Sequence, residues 1–165
     1  MNKIRTVIAD DLDPILKYLE KVLSDTQEYE IIGKATNGKE LIQIVEKEKP
    51  ELIISDEQMP ECSGTEAIKQ LIEKNIESKY ILITGHDDPE INVQAKKLGI
   101  AKVIIKPILD DKKLVEQVRE ALHIDNDTDN TEQNETEKII RYDEINEKKD
   151  SVFKKLWKLL FRKRK

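Results

Sequence analysis

The chain has 165 residues, of which 38% are charged, and its formal net charge is −5. This length suits one domain of about 100–150 residues plus an appendage. The single cysteine, Cys62, excludes both an intramolecular disulfide and a metal site built on cysteine, and it suits a reducing compartment. Because no signal peptide is visible and no apolar stretch approaches the roughly 20 residues that span a bilayer, we expect a cytoplasmic protein.

Five short apolar runs alternate with segments of helical periodicity in the first 122 residues. The runs predict buried strands, since they are continuous and rich in β-branched residues. They extend over Ile4 to Ala9, Tyr29 to Ala35, Glu51 to Ser55, Tyr80 to Ile83 and Lys102 to Ile105. Strands that alternate with five helices in this way favour an α/β fold with a doubly wound, five-stranded parallel sheet of order 2-1-3-4-5.

Local signals mark where three of the helices begin. Asp13-Pro14 and Asp88-Pro89 each place an aspartate N-cap before a proline at the first helical position. Asn37, with Glu40 three residues later, predicts a capping box that has asparagine in place of serine or threonine. We therefore expect helices to start soon after the first, second and fourth strands.

The composition changes after Leu122, which divides the chain into three predicted parts. Residues 1–122 form the folded domain and carry a net charge of about −6. Residues 123–150, also at about −6, are poor in apolar side chains and predict a disordered, flexible acidic linker. Residues 151–165 carry about +7 and no acid, and their apolar residues recur at helical spacing, which predicts a basic amphipathic helix.

Polar residues able to handle a phosphoryl group follow four of the predicted strands, namely Asp10 and Asp11, Asp56, Thr84, and Lys106. Open parallel sheets bind ligands outside the carboxyl ends of their strands, so these side chains should converge. A strand-end carboxylate such as Asp56 can act as a nucleophile, and the carboxylates can together hold Mg²⁺. The Lys106 ammonium and the Thr84 hydroxyl would stabilise charge on the transferred oxygens.

The chain from about Lys3 to Leu122 resembles a response-regulator receiver domain, the CheY-like domain of two-component signalling. The resemblance is carried by Asp10-Asp11, by Thr84, by Lys106-Pro107 and by the run from Asp56 to Gly64, which contains Met59-Pro60. It implies a phospho-acceptor signalling protein rather than a conventional enzyme, limited to self-catalysed transfer and slow autodephosphorylation. Within such a protein, Asp56 takes its phosphoryl group from a phosphohistidine on a sensor histidine kinase.

The resemblance also implies roles for the remaining site residues. Asp10, Asp11 and Asp56 would bind Mg²⁺, together with the backbone carbonyl of Gln58. Lys106 would pair with the phosphoryl group, Thr84 would shift to donate a hydrogen bond to it, and the Lys106-Pro107 peptide would be cis.

Val103 and Gly85 depart from the family pattern. Receivers usually carry tyrosine or phenylalanine three residues before the lysine, where this chain has Val103. The aromatic half of the usual switch is therefore absent. Thr84 is followed by Gly85, where alanine or another small residue is common, and we expect this glycine to loosen the loop and leave the phosphoryl group more accessible.

A second interpretation comes from a different class of protein. Asp11-Leu12-Asp13 after an apolar strand, with Thr84-Gly85 and Lys106, also resembles the motifs of haloacid-dehalogenase-like phosphatases. Asp11 would then be the nucleophile and Asp13 the acid/base of a hydrolase. That family needs a further acidic motif well beyond the lysine, whereas only Asp110-Asp111 lies nearby, and this interpretation leaves Asp56 and its loop unexplained.

The basic segment of residues 151–165 suggests how a signal would leave the domain. With Phe153 and Trp157, it suits an anionic membrane surface or a groove on a protein partner, which would make the protein peripheral at the inner face of the membrane. An intramolecular contact with the acidic receiver is the next alternative, and nucleic acid is the last. About 40 residues are too few for a helix-turn-helix effector domain, so we expect protein or membrane contacts rather than a DNA-binding domain to carry the output.

Overall fold

The computed structural model describes residues 2–108 and 110–123, in which strands and helices alternate strictly. The strands are β1 (Ile4–Ala9), β2 (Tyr29–Ala35), β3 (Leu52–Asp56), β4 (Lys79–Thr84) and β5 (Lys102–Ile105). The helices are α1 (Asp13–Asp25), α2 (Gly38–Glu48), α3 (Gly64–Glu73), α4 (Pro89–Leu98) and α5 (Asp111–His123). The predicted alternation of five strands and five helices is confirmed.

All five strands pair in parallel, in the order β2-β1-β3-β4-β5, which confirms the predicted topology. The strand order reverses between β1 and β3, and this switch point is where open α/β sheets bind their ligands. Ala9 pairs with Ser55, so the residues that follow, Asp10 and Asp56, leave neighbouring strands at the same level. The topology therefore brings the first and third predicted strand ends side by side.

The core lies on both faces of the sheet, because successive strand residues point to opposite faces. Val7, Ile53 and Leu82 pack on one face together with buried residues of α2 and α3. Ile8 and Ile54 pack on the other face together with buried residues of α1 and α5. Every residue of β3 is buried, and Asp56 at its end is therefore drawn into a low-dielectric environment.

The start of α1 differs from the prediction, because Asp13 is not the N-cap. Leu12 occupies the cap position without a side-chain hydrogen bond, and Asp13 is the first helical residue. The backbone N–H of Leu12 donates instead to Asp10 Oδ1, at 2.9 Å. The Asp10 carboxylate thus forms the hydrogen bond that fixes the turn into α1. Asp13 instead forms an exposed ion pair with Lys17.

The other two helix starts follow the prediction more closely. Asp88 accepts a hydrogen bond from the backbone N–H of Glu90, at 2.8 Å, and caps α4 as predicted. Asn37 likewise accepts one from Glu40 N–H at 2.8 Å. The reciprocal half of the capping box is absent at α2, because the Glu40 carboxylate accepts from the backbone N–H of Thr36 at 2.7 Å.

The predicted acidic linker, residues 123–150, lies outside the described residues except for His123, and so does the predicted basic helix of residues 151–165. Their predicted boundaries therefore stay predictions. Among the helices that the structure describes, none is long and apolar enough to cross a bilayer.

A buried hydroxyl at the start of β2 leads to a prediction about stability. Tyr29 is 1% exposed, and its Oη has no hydrogen-bond partner within the described chain. Burial and the charge of Glu28 raise the pKa of Tyr29 to about 12, so this hydroxyl stays neutral. Because a buried unsatisfied donor costs about 1–3 kcal/mol, we expect Tyr29→Phe to leave the free energy of unfolding unchanged or to raise it by about 1 kcal/mol.

Urea unfolding would measure this effect, and Tyr80→Phe is the matched control. The Tyr80 hydroxyl donates to the carbonyl oxygen of Ile76 at 2.9 Å, so its removal should lower the free energy of unfolding by about 1 kcal/mol. An equal loss of stability in both variants would contradict the prediction for Tyr29.

Candidate functional site

One lysine joins two buried carboxylates at the carboxyl edge of the sheet. Lys106 Nζ donates to Asp10 Oδ2 at 2.8 Å and lies 2.7 Å from Asp56 Oδ1. Asp10 is 0% exposed and Asp56 3%, whereas 24% of the Lys106 side chain is exposed. Because β4 separates β5 from β3 by two strand spacings, or about 10 Å, only a long side chain after β5 can reach Asp56.

Backbone groups orient both carboxylates in the same way. Asp10 Oδ1 accepts the N–H of Leu12 at 2.9 Å, and Asp56 Oδ2 accepts the N–H of Gln58 at 2.8 Å. In each carboxylate, one oxygen therefore accepts a hydrogen bond from the backbone N–H two residues ahead, in an Asx-turn, and the other oxygen contacts Lys106. The two oxygens that share the ammonium are consequently aimed at the same point.

Burial and charge act against each other at this site. Burial raises the pKa of Asp56 and the nearby Asp10 charge adds to the increase, whereas Lys106 and the Gln58 N–H oppose it, with a net increase. Burial alone would lower the pKa of Lys106, but hydrogen bonds to Asp10 and Asp56 and the charges of both carboxylates raise it overall. Two buried carboxylates thus face a single ammonium, and oxygen donors with excess negative charge are what a divalent cation prefers.

Thr84 lies at the same edge, at the end of β4, and is 2% exposed. Its Oγ1 donates to the carbonyl oxygen of His86 at 3.1 Å and accepts the His86 N–H at 3.2 Å. The Thr84 carbonyl oxygen accepts the N–H of Lys106 at 2.7 Å, which ties the end of β4 to the lysine. The Lys106-Pro107 peptide is cis, as the resemblance implied.

The structure brings together some of the predicted metal ligands but not all of them. Asp10 and Asp56 are adjacent, whereas Asp11 is exposed. Within residues 2–108 and 110–123, no three acidic, histidine or cysteine side chains are arranged to hold a metal ion. Asp11 and the Gln58 carbonyl therefore remain proposed ligands.

The sequence did not single out Glu57 or Thr65. Glu57 Oε2 accepts hydrogen bonds from Thr65 N–H at 2.9 Å and from Thr65 Oγ1 at 2.6 Å. An acid directly after Asp56 was the available signal, but only the folded loop shows that this acid turns towards α3 rather than towards Lys106.

The two departures from the family pattern have simple surroundings. Val103 is half-buried and packs against the core on the face that α2 and α3 cover. At Gly85 an added Cβ would meet no heavy atom within 4 Å.

Comparison with known proteins places most of this chain in one family. The family model of the response regulator receiver domain matches residues 6–119. The chain belongs to this family, whose members are the phospho-acceptor domains of two-component signalling and are phosphorylated by sensor histidine kinases.

The relatives differ in how much of their own length the match covers. The chain is 30% identical over 118 residues to the transcriptional regulatory protein DegU of Brevibacillus brevis, which covers 72% of this chain and 50% of that protein. It is 30% identical over 103 residues to the chemotaxis protein CheY of Thermotoga maritima, which covers 62% of this chain and 85% of CheY. The chain thus spans about half the length of the first curated relatives that it matches.

A solved structure shares the fold. It is the Borrelia burgdorferi complex of CheX and CheY with BeF3 and Mg, with a TM-score of 0.67 at 21% identity, covering 72% of this chain and 89% of that one. At this identity the match is evidence for the fold alone.

Proposed function

We propose that Asp56 of this chain accepts a phosphoryl group from the phosphohistidine of a sensor histidine kinase in a Mg²⁺-dependent reaction. The observation that carries the proposal is the Lys106 ammonium, held between the buried carboxylates of Asp10 and Asp56. Family membership supports it.

The chemistry follows from which groups surround Asp56 Oδ1. This oxygen attacks the phosphorus as the bond to the kinase histidine breaks, and the Lys106 ammonium stabilises charge on the transferred oxygens. Asp10, Asp11, Asp56 and the Gln58 carbonyl would hold Mg²⁺, which neutralises further negative charge when bound. The Thr84 hydroxyl can reach the phosphoryl group only after it gives up its hydrogen bonds to His86.

Incubation with acetyl phosphate and Mg²⁺, followed by intact-mass measurement, tests the proposal. The wild-type chain should gain one phosphoryl group, Asp56→Asn should gain none, and chelation of Mg²⁺ should abolish the gain. Asp11→Asn should still be labelled, but it should need a higher concentration of Mg²⁺, because one proposed ligand is lost. Full labelling of Asp56→Asn would exclude Asp56 as the acceptor.

The same variants separate this proposal from the phosphatase interpretation. Among the described residues, Lys106 contacts Asp56 and Asp10, whereas the exposed Asp11 is not part of that cluster, so no geometric observation favours Asp11 as a nucleophile. Turnover of small phosphate esters that survives Asp56→Asn and disappears in Asp11→Asn would support the phosphatase instead.

We further propose that residues 151–165 carry the output by binding an anionic membrane surface or a protein partner. Support comes from the charge of about +7 with no acid in that segment, beside aromatic and aliphatic residues at helical spacing. Co-sedimentation with vesicles rich in phosphatidylglycerol should retain the full chain and lose a version that ends at Asp125. If the full chain and the shortened version bind the vesicles equally, residues 151–165 are not responsible for the binding. If neither binds, a protein partner is favoured.

A further inference from the structure

Glu57, the residue directly after Asp56, closes the loop between β3 and α3, here called the acceptor loop (residues 57–63). Its N–H donates to the carbonyl oxygen of Ile83 at 2.7 Å, and its carbonyl oxygen accepts the N–H of Gly64 at 3.1 Å. Its carboxylate accepts two hydrogen bonds from Thr65, at 2.9 and 2.6 Å. The backbone and the side chain of this one residue therefore fasten the loop to β4 and to the first turn of α3.

The second fastening of the loop lies at the site itself. Gln58 N–H donates to Asp56 Oδ2 at 2.8 Å, so the peptide between Glu57 and Gln58 is held by the acceptor carboxylate. Two sets of hydrogen bonds therefore fix the backbone around Gln58, which carries the proposed backbone ligand. The bond to Asp56 involves a residue that changes its ligands during the reaction. The bonds between Glu57 and Thr65 involve no reacting group.

We propose that Glu57 is a positioning residue, which through Thr65 sets the path of the backbone that presents the Gln58 carbonyl to Mg²⁺. This inference rests on the proposed function, because it needs Mg²⁺ to bind at Asp10 and Asp56. Thr65 is buried, so its hydroxyl is a fixed donor. Removal of a group that orients a metal ligand typically lowers the metal affinity by about 10–100-fold.

The hydrogen bonds to Thr65 also keep the charge of Glu57 away from the reacting groups. Within the described chain, the ion pairs of Lys106 are to Asp10 and Asp56 and not to Glu57, although Glu57 adjoins Asp56. A third carboxylate on the same ammonium would compete with the phosphoryl group for it. The hydrogen bonds from Thr65 therefore keep the Glu57 carboxylate away from Lys106, although Glu57 is next to Asp56 in the chain.

Calorimetric titration of the full chain with Mg²⁺ alone, without a phosphoryl donor, tests the inference. Glu57→Ala should raise the dissociation constant for Mg²⁺ by about 10-fold or more. Glu57→Gln should restore it to within about threefold, because its amide oxygen can accept both hydrogen bonds from Thr65 while the charge is gone. Thr65→Val, which removes only the hydroxyl donor and keeps the volume, should show a smaller weakening in the same direction.

Ser63→Ala is the control for a merely structural effect. The Ser63 hydroxyl accepts the N–H of Glu66 and caps the same helix, whereas the hydrogen bonds to the Glu57 carboxylate come from Thr65. It should lower the melting temperature and leave the affinity for Mg²⁺ unchanged. Hydrogen exchange at the Gln58 amide gives a second readout, which should be faster in Glu57→Ala than in Ser63→Ala.

The possible failures are distinguishable. Unchanged Mg²⁺ affinity in Glu57→Ala would overturn the positioning role and leave the proposed function intact. A Glu57→Gln variant as weak as Glu57→Ala would also overturn it, because charge rather than hydrogen bonding would then be responsible. Failure of the wild-type chain to bind Mg²⁺ would overturn the proposed metal requirement, and the inference with it.

Discussion

Replacement of Lys106 by methionine is expected to lower the free energy of unfolding by about 3 kcal/mol at neutral pH without divalent metal. Methionine keeps an unbranched side chain but removes the ammonium that lies within 2.8 Å of Asp10 and 2.7 Å of Asp56. Two buried carboxylates would then face each other unpaired. The value lies at the low end for a broken buried pair, because 24% of the Lys106 side chain is exposed.

The pH dependence of this loss has a definite sign. The pKa of Asp56 is raised from its ordinary 3.8, chiefly by burial, so the folded state favours the protonated acid. Stability from this group is therefore full below pH 3.8 and falls as the pH rises through the raised pKa. Without Lys106, which opposes the shift, the fall should extend to higher pH, so Lys106→Met should be least stable relative to the wild type above that range.

Urea unfolding across a pH series would measure both effects. Lys102→Met is the matched control, since it breaks a more exposed ion pair with Glu120 and should change the free energy of unfolding by less than about 1 kcal/mol. The double variant Lys106→Met/Asp56→Asn should regain much of the stability, because only one buried carboxylate is then left unpaired. A double variant less stable than Lys106→Met alone would contradict the electrostatic explanation.

A methyl group at Gly64 is expected to destabilise the protein by about 3 kcal/mol, whereas one at Gly85 should not. A Cβ at Gly64 would overlap the Asp56 carbonyl oxygen and lie 2.9 Å from Leu82 Cδ1. The backbone of Asp56 would have to move, because it cannot rotate away as a side chain can. At Gly85 the space is empty, and alanine should add about 0.4–1 kcal/mol by restricting the unfolded chain.

The two glycine variants form a matched pair, since each adds one methyl group beside the same edge of the sheet. In thermal unfolding, the Tm of Gly64→Ala should lie several degrees below that of Gly85→Ala. Urea unfolding should give the difference in the free energy of unfolding. Labelling with acetyl phosphate should fall in Gly64→Ala, because Asp56 is displaced. For Gly85→Ala we expect slower labelling if the open loop aids access. Equal stabilities would show that the Asp56 backbone can yield without cost.

Sequence alone could predict the architecture and the meeting of Asp10, Asp56, Thr84 and Lys106 at one edge of the sheet, for physical reasons. Continuous apolar runs ended by Asp10, Asp56, Thr84 and Lys106 specify buried parallel strands, and parallel strands bring their carboxyl ends to one edge. Short-range signals also worked where the capping side chain meets a backbone N–H two or three residues ahead, as at Asn37 and Asp88.

Tertiary structure alone decided how the neighbouring acids divide their roles. Asp10 is buried against Lys106, because the register of β1 with β3 places it beside Asp56. Asp11 is exposed, and Asp13 does not cap α1. Glu57 turns to Thr65 rather than to Lys106 because the loop folds back onto α3. Sequence therefore determined which side-chain types meet at this edge. Strand register and loop path, which depend on contacts between residues far apart in the chain, decided which carboxylates lie beside Lys106.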